Sequence, residues 1–263
     1  MMGRDYQDMC WPDIEAMDRE KTIILIPVGA TEQHGHHLPL GTDTLDAQCA
    51  AERILAQLEP EFKLLLFPMI PVGLSVEHMA YPGTVTFQPD TYYRMLKEIC
   101  DCLVRHGFRK LVFLNGHGGN SATLNNVAYT VRSETGAGVF IIDISILLAQ
   151  PDKPVEVRTD PGCDSHAGEL ESALVLVSRP EAVRMERAVP TRPEKFLGNQ
   201  VFTLEGPVGM GWLANDLSAA GNCGNPTFAT KEQGEKMMAY IVEKACTALH
   251  EIAAWDASVT PRA

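Results

Sequence analysis

Four short apolar runs, at residues 23–28, 63–68, 110–115 and 139–144, alternate with longer stretches of helical spacing at 44–58, 91–106 and 121–134. An apolar run of roughly six residues without polar alternation fits a strand buried on both faces, and that requires helices on both sides of the sheet. The alternation therefore predicts an α/β fold, a three-layer α/β/α sandwich around a mostly parallel central sheet. A further helix is predicted to begin near Ala167, with Leu170, Leu174 and Val177 as its apolar stripe. No repeat, low-complexity tract or Ser-rich linker divides the chain, so a single domain over 1–263 is expected. Residues 150–162 read as a loop. The Gly-rich stretch 206–227, which contains Trp212, is open to two readings: a surface connection, or a flap or inter-subunit contact close to a site.

With 45% hydrophobic and 21% charged residues, the chain has the material for a substantial core. Seven cysteines, an odd number without a C-x-x-C pair, read as reduced thiols rather than a disulfide framework. Cys100 and Cys102 fall on different faces of their predicted helix and make a poor metal pair. A formal charge of -12 argues against a nucleic-acid-binding surface, which would be basic. No apolar run is long enough to cross a bilayer, and the first residues lack the apolar core of a secretory signal. The expectation is a cytoplasmic protein with a small-molecule substrate and neither a nucleic acid nor a membrane as partner.

The chemistry gathers where strands end. ATEQHGHHLPLGTDTLDA follows the run IILIPV almost directly, so its polar groups emerge at the C-terminal end of a strand, where open α/β sheets bind ligands. Glu32 and His34 are two apart and can project to the same side of an extended loop. Asp43 lies just before the helical pattern that starts at Thr44. Together they offer two carboxylates and an imidazole, a ligand set for Zn²⁺, Mn²⁺ or Fe²⁺. Alternatively Asp43 caps the helix, and His34, His36 and His37 are loop residues in solvent. A second segment, LNGHGGNSA, again follows a strand and sets His117 among Gly116, Gly118 and Gly119, which keep the imidazole accessible. Read as a phosphate loop, it matches neither G-x-G-x-x-G nor the Walker pattern. The third, DSHAGELESALVLVS, puts Glu171 at the edge of a helix's buried face, where a carboxylate needs a partner such as a metal or an arginine. Glu169 reads as a solvated first-turn acid favoured by the helix dipole. His166, at the start of that helix, reads as a cap-region residue or a catalytic base.

Taken together, these segments resemble the creatininase family of metal-dependent amidohydrolases. The resemblance rests on PVGATEQHGHHLPLGTDT, SVEHMAYPGTVTF, NGHGGN and HAGELESALVL, and runs from the first strand to near Asn225. It implies the same three-layer fold and two divalent ions per subunit, with Glu32, Asp43 and His117 on one ion, His34 and Asp43 on the other, and Asp43 bridging. Glu171, which matches the recurrent glutamate of an H-A-G-x-x-E pattern, would complete the second set. His37 matches a recurrent histidine and would support the ligands, whereas His36 stands where relatives commonly have proline. Ser75, Glu77 and His78 would contact substrate; read from the residues alone, they are a polar surface loop. Relatives commonly form hexamers or other homo-oligomers, so a homo-oligomer is expected.

Two departures bear on chemistry. Creatinine-hydrolysing members carry a glutamate two residues after the histidine matching His117, where this chain has Gly119. They also carry an aromatic residue just after that histidine and a tryptophan four residues before the one matching His166; Gly118 and Gly162 stand there. Creatinine is therefore disfavoured as substrate. The expected activity is hydrolysis of a C–N bond in a small cyclic or amide-type substrate. Other branches act on a formamide, on a peptide in cofactor maturation, or on the ring of an oxidised inositol. Two cations would lower the pKa of a water and polarise the attacked carbonyl, with His166 passing a proton to the departing group. The rival classes are a metal-binding protein without catalysis and a nucleotide-binding α/β protein.

Overall fold

The computed structural model describes residues 4–160, 162–204 and 207–256. In chain order the principal elements are α1 (Trp11–Ala16), β1 (Ile23–Val28), α2 (Thr42–Gln57), β2 (Leu64–Leu66), α3 (Pro89–Arg105), β3 (Lys110–Asn115), α4 (Ser121–Thr135), β4 (Gly138–Asp143), α5 (Ile144–Leu148), α6 (Glu169–Ser178), α7 (Ala214–Leu217) and α8 (Lys231–Ala254). The four strands are all parallel, in the order β2-β1-β3-β4. The protein has the predicted α/β fold, with helices on both faces of the sheet.

The strand sequences explain the layering. Every residue of β1 and β3 is buried, and alternate side chains serve opposite faces. Ile23, Leu25, Val112 and Leu114 pack under α2, α6 and α8, whereas Ile24, Ile26, Leu111 and Phe113 pack under α3 and α4. On α3, Cys100 faces the core and Cys102 faces out, as their spacing requires. The observed strand and helix bounds lie within a few residues of the predicted ones.

Two elements depart from expectation. α8 is the longest helix described, and the sequence reading did not include it. Its start is nonetheless written in Thr230 and Gln233: the Thr230 hydroxyl accepts from the Gln233 amide at 3.1 Å, half of a capping box. Met237, Ile241, Ala245, Leu249 and Ile252 then recur at helical spacing and are buried. In addition, α2 begins at Thr42, so Asp43 lies inside its first turn rather than before it.

The strand order fixes where a site can form. From β1 the chain moves to β2 on one side and then crosses to β3 on the other, so the C-terminal ends of β1 and β3 flank a topological switch point. Val28, Asn115 and Asp143 stand level there, in register across three strands.

Candidate metal centre

Beyond Val28 the chain stays inside the protein and lays down Glu32, Gln33 and His34 in succession, all buried. The Glu32 amide closes this loop by donating to the Leu40 carbonyl at 2.9 Å. Asp43 makes no capping bond. Its carboxylate instead spans two imidazoles, with Oδ1 3.1 Å from His34 Nε2 and Oδ2 3.1 Å from His117 Nδ1. His117 arrives from the end of β3, and Gly116 lets it come so near α2, because a Cβ there would run into the Asp43 carbonyl oxygen. Glu32 lies at the centre: Oε2 is 3.3 Å from His117 Nε2, and Oε1 is 3.5, 3.7 and 3.8 Å from His78 Nε2, His166 Nδ1 and His34 Nε2. Glu171 Oε2 is 3.8 Å from His34 Nε2 and accepts from the Ala167 amide. Ala167 has φ of 47°, the one non-glycine residue with positive φ among those described, and the kink sits between His166 and α6.

Backbone carbonyls orient the rings. His34 Nδ1 lies 3.1 Å from the Glu32 carbonyl, His117 Nε2 2.7 Å from that of Leu74, and His166 Nε2 2.9 Å from that of Gln33. A ring N–H donated to a carbonyl leaves the other nitrogen for a cation or a proton, so His34 Nε2, His117 Nδ1 and His166 Nδ1 are the nitrogens left, the first two facing Asp43 and the third Glu32.

Burial and charge pull these groups apart. Burial favours neutral His34, but Asp43, Glu171 and Glu32 outweigh it and raise the imidazole to about 10. His117 is likewise raised, against its burial, by Glu32 and Asp43. Burial lifts Glu32 and Glu171 to about 7 each. Asp43 is held well below the usual carboxylate range by His34 and His117, despite its burial. Burial, reinforced by His34, lowers His78 to about 3 and His37 to about 4. His166 is also pushed far down, by burial and then by His34 and His78, which makes it a neutral imidazole.

Glu32 Oε1, Glu32 Oε2 and Asp43 Oδ2 are buried without a well-aligned hydrogen bond, although His117 Nδ1 lies 3.1 Å from Asp43 Oδ2. Buried carboxylate oxygens in that state carry a desolvation cost of several kcal/mol that a cation removes. Three donor sets lie with their ligand atoms within 4.8 Å of one another: Glu32, Asp43 and His117; His34, Asp43 and Glu171; and Glu32, His34 and His166. Asp43 belongs to the first two. These carboxylate and imidazole donors fit Zn²⁺, Mn²⁺ or Fe²⁺.

The structure thus brings Glu32, His34, Asp43, His117, His166 and Glu171 into one cluster. His37 stands behind it, its Nε2 2.8 Å from Ser172 Oγ. Ser75 is fully buried, and its amide donates to Thr86 Oγ1 at 2.8 Å. His78 is inside the cluster, its ring tilted by 34° to that of His166 at 4.3 Å between centroids, and Glu77 Oε1 lies 3.9 Å from its Nε2. A polar surface loop is therefore not what Ser75 and His78 form. Trp212 stands edge-on to His78 at 6.1 Å, and the Gly221 carbonyl accepts from Gln33 at 2.8 Å, so the Gly-rich stretch touches the site at these two points while 207–211 are exposed; Gly206 lies outside the described residues.

Four polar residues that sequence reasoning passed over hold this arrangement. Gln33 Nε2 donates to His78 Nδ1 at 2.8 Å. Asn115 Oδ1 accepts from the His117 amide at 3.2 Å, and Asn120 ties the loop to Leu74 and Gly29. Both asparagines flank the histidine of NGHGGN, which was the available signal. Asp46, one turn after Asp43, accepts from Ser178 Oγ at 2.7 Å, and burial raises its carboxyl well above the usual range. Glu169 corrects an expectation: it is fully buried rather than solvated, because four protein donors surround it. Gly119 leaves no room for the glutamate seen elsewhere, since a Cβ would lie 2.5 Å from both His117 Nε2 and the Leu74 carbonyl.

A cavity of about 1100 Å³ opens beside the cluster, with Asp43, His166 and Glu171 in its wall. It runs between α5, the stretches 151–160 and 162–166, and α6, past Ile146, Leu148, Val155, Val157, Leu170 and Leu174. Gly162, at φ of 75°, borders it with open space around its Cα. Ser75, Glu77 and His78 do not line it.

A family model described as creatininase, creatinine amidohydrolase, matches residues 7–249. The chain belongs to the creatininase family. It is 33% identical over 231 residues to the mycofactocin precursor peptide peptidase of Mycobacterium tuberculosis, covering 84% of this chain and 81% of that one. It is 26% identical over 259 residues to the creatinine amidohydrolase of Pseudomonas putida, with 93% and 95% covered, and 28% identical over 204 residues to the 3-dehydro-scyllo-inosose hydrolase of Thermotoga maritima, with 74% and 62% covered. Solved creatininases, among them a manganese form and a zinc–zinc form of a variant, align with TM-scores of 0.73 and 0.75 at 24% identity, over 95% of this chain and 98% of theirs, and share the fold. Like these relatives, the protein is a hydrolase. Among the described residues, no helix is long and apolar enough to cross a membrane.

Proposed function

We propose that this creatininase-family hydrolase uses two divalent ions to cleave an amide C–N bond in an extended, peptide-type substrate. The observation that carries the substrate reading is the cavity. Its volume of about 1100 Å³ exceeds the roughly 300–1,000 Å³ usual for drug-sized ligands, and it stays open at Gly162, where creatinine-hydrolysing members have a tryptophan. The likeness to a peptide peptidase points the same way.

Glu32, Asp43 and His117 would hold one ion, and His34, Asp43 and Glu171 the other, with Asp43 shared. Bound there, the ions would supply Lewis acidity, polarising a carbonyl oxygen and lowering the pKa of water. The chain's own groups do the rest. Asp43 presents one oxygen to each half of the cluster, and the Glu32 and Leu74 carbonyls keep the His34 and His117 lone pairs turned inward. His166, neutral and with Nε2–H donated to Gln33, has its Nδ1 lone pair free to take a proton and deliver it to the departing nitrogen. Gln33 and Trp212 steady the neighbouring His78. Assembly into a homo-oligomer belongs to the same reading, supported by exposed Val76, Met79 and Val85 on the loops beside the cluster.

The test is a metal-reconstituted hydrolysis assay across a peptide amide, a cyclic amide, a formamide and an inosose. Turnover of the peptide amide that exceeds the others supports the reading. Preferential opening of a small ring, or bound metal with no turnover on any of the four, removes it.

A further inference from the structure

The outer wall of the cavity lacks the support that ordinary loops have. Among the described residues, no backbone N–H to carbonyl bond is made between positions 154 and 159. Yet Glu156, Val157, Thr159 and Asp160 of this stretch line the space beside the cluster. Arg192 pairs with Asp160 at 3.0 Å and the Arg158 guanidinium lies over the Phe228 ring at 4.6 Å, but the backbone amides of Arg158 and Thr159 are held by one buried carboxylate. Glu169 Oε2 accepts from the Arg158 amide at 2.9 Å, the Thr159 amide at 2.8 Å and Thr159 Oγ1 at 2.9 Å, and Oε1 accepts from Gln233 Nε2 at 2.8 Å. Gln233 also reaches the Glu156 carbonyl at 3.4 Å, so α8 is drawn into the same knot.

Glu169 is not needed to start its own helix. Asp164 already accepts from the Glu169 amide at 2.6 Å and the Leu170 amide at 3.1 Å, and so takes the capping role. The Glu169 side chain is therefore spent on the wall. It does so from the first turn of α6, which also carries Glu171 two residues on, while His166 lies three residues before it, across the Ala167 kink, so the anchor of the wall and Glu171 share one helix.

We infer that Glu169 is a positioning residue that fixes the 156–160 wall relative to His166 and Glu171, and so sets how an extended substrate lies against the cluster. The inference rests on the peptide-type reading above for its catalytic consequence, but not for the anchoring itself. A substrate that touches only the cluster should scarcely sense the wall, whereas one that fills the cavity should depend on it.

The experiment uses the full-length, metal-loaded protein with Glu169→Ala and Glu169→Gln. Hydrogen exchange at the Arg158 and Thr159 amides is followed beside steady-state turnover of two 4-nitroanilides, one of an N-acetylated single residue and one of a tetrapeptide. In Glu169→Ala, exchange at the two amides should rise, and kcat/KM for the tetrapeptide should fall about tenfold through KM, far more than for the short anilide, at unchanged metal content. Glu169→Gln, which keeps one acceptor oxygen, should recover part of the loss. Unchanged exchange at Arg158 and Thr159 would overturn the anchor, and an equal fall on both anilides would reduce it to a general structural role. If the wild type turns over neither anilide, the peptide reading fails, and the exchange data alone decide the anchor.

Discussion

At the ends of β1 and β3, each imidazole of the cluster that faces a carboxylate is aimed by a backbone carbonyl or by Gln33, and the Glu32 and Asp43 carboxylates lie sealed from solvent. Past β4 the cavity wall is different: an irregular stretch with apolar side chains, held by Glu169 through side-chain acceptance rather than by strand pairing. The first region sits at the switch point of the sheet, where the fold itself delivers the groups. The second sits on a loop that can change length and sequence without disturbing the sheet. On the proposed reading, chemistry and substrate choice would occupy separable parts of this protein, which suits a family whose members are named for a peptide, a cyclic amide and an inosose.

The sharpest way to break this division is at Asp43. Asp43→Ala removes the donor common to two of the three ligand sets, and metal affinity should fall by about 100-fold or more, with turnover lost on substrates of every size. Retained metal at both positions, measured by elemental analysis, would show that Asp43 is not shared. His166→Ala should come next, with kcat down by about 10²–10⁴ and metal content kept. Loss of metal in that variant would instead make His166 a ligand, as its grouping with Glu32 and His34 allows.

Proton release offers a third test. His34 is raised to about 10, so without an ion it holds its extra proton at neutral pH, and binding must expel it. Apparent metal affinity should therefore climb as pH rises toward that value, by roughly tenfold per pH unit for each proton released. Calorimetric titration in buffers of different ionisation enthalpy measures it, and an affinity that does not change between about pH 6 and about pH 8 would contradict the electrostatics. The smallest effect belongs to the wall. Val157→Trp narrows the cavity away from the ligands and should raise KM for extended amides by about tenfold while leaving metal content alone. An equal effect on short substrates would blur the division.

The same division decided what was legible in the sequence. Buried parallel strands must be continuously apolar, so the sheet could be read from IILIPV and KLVFLN, and the residues that follow each strand named the switch point. The six residues of the cluster each had a second use when read alone, as cap, loop or ion-pair residues, and only the resemblance of their segments to the creatininase family set them together. Glu169 was misread because a first-turn acid is ordinarily solvated, and its donors, at positions 158, 159 and 233, lie 10 or more residues away along the chain. Asp43 was set just outside its helix because Gly41, without a side-chain cap, gives no start signal. The cavity had no motif at all. It follows from Gly162 and from scattered apolar residues that only the folded chain assembles.

The central claim is that two ions, sharing Asp43, make this cluster hydrolytic. Titrating the metal-free protein with Mn²⁺ or Zn²⁺ while following hydrolysis of a peptide amide tests it most directly. The account predicts that activity appears only as the second equivalent binds and reaches its plateau at two ions per chain. Full activity at one equivalent, or activity that survives complete removal of metal, would contradict it.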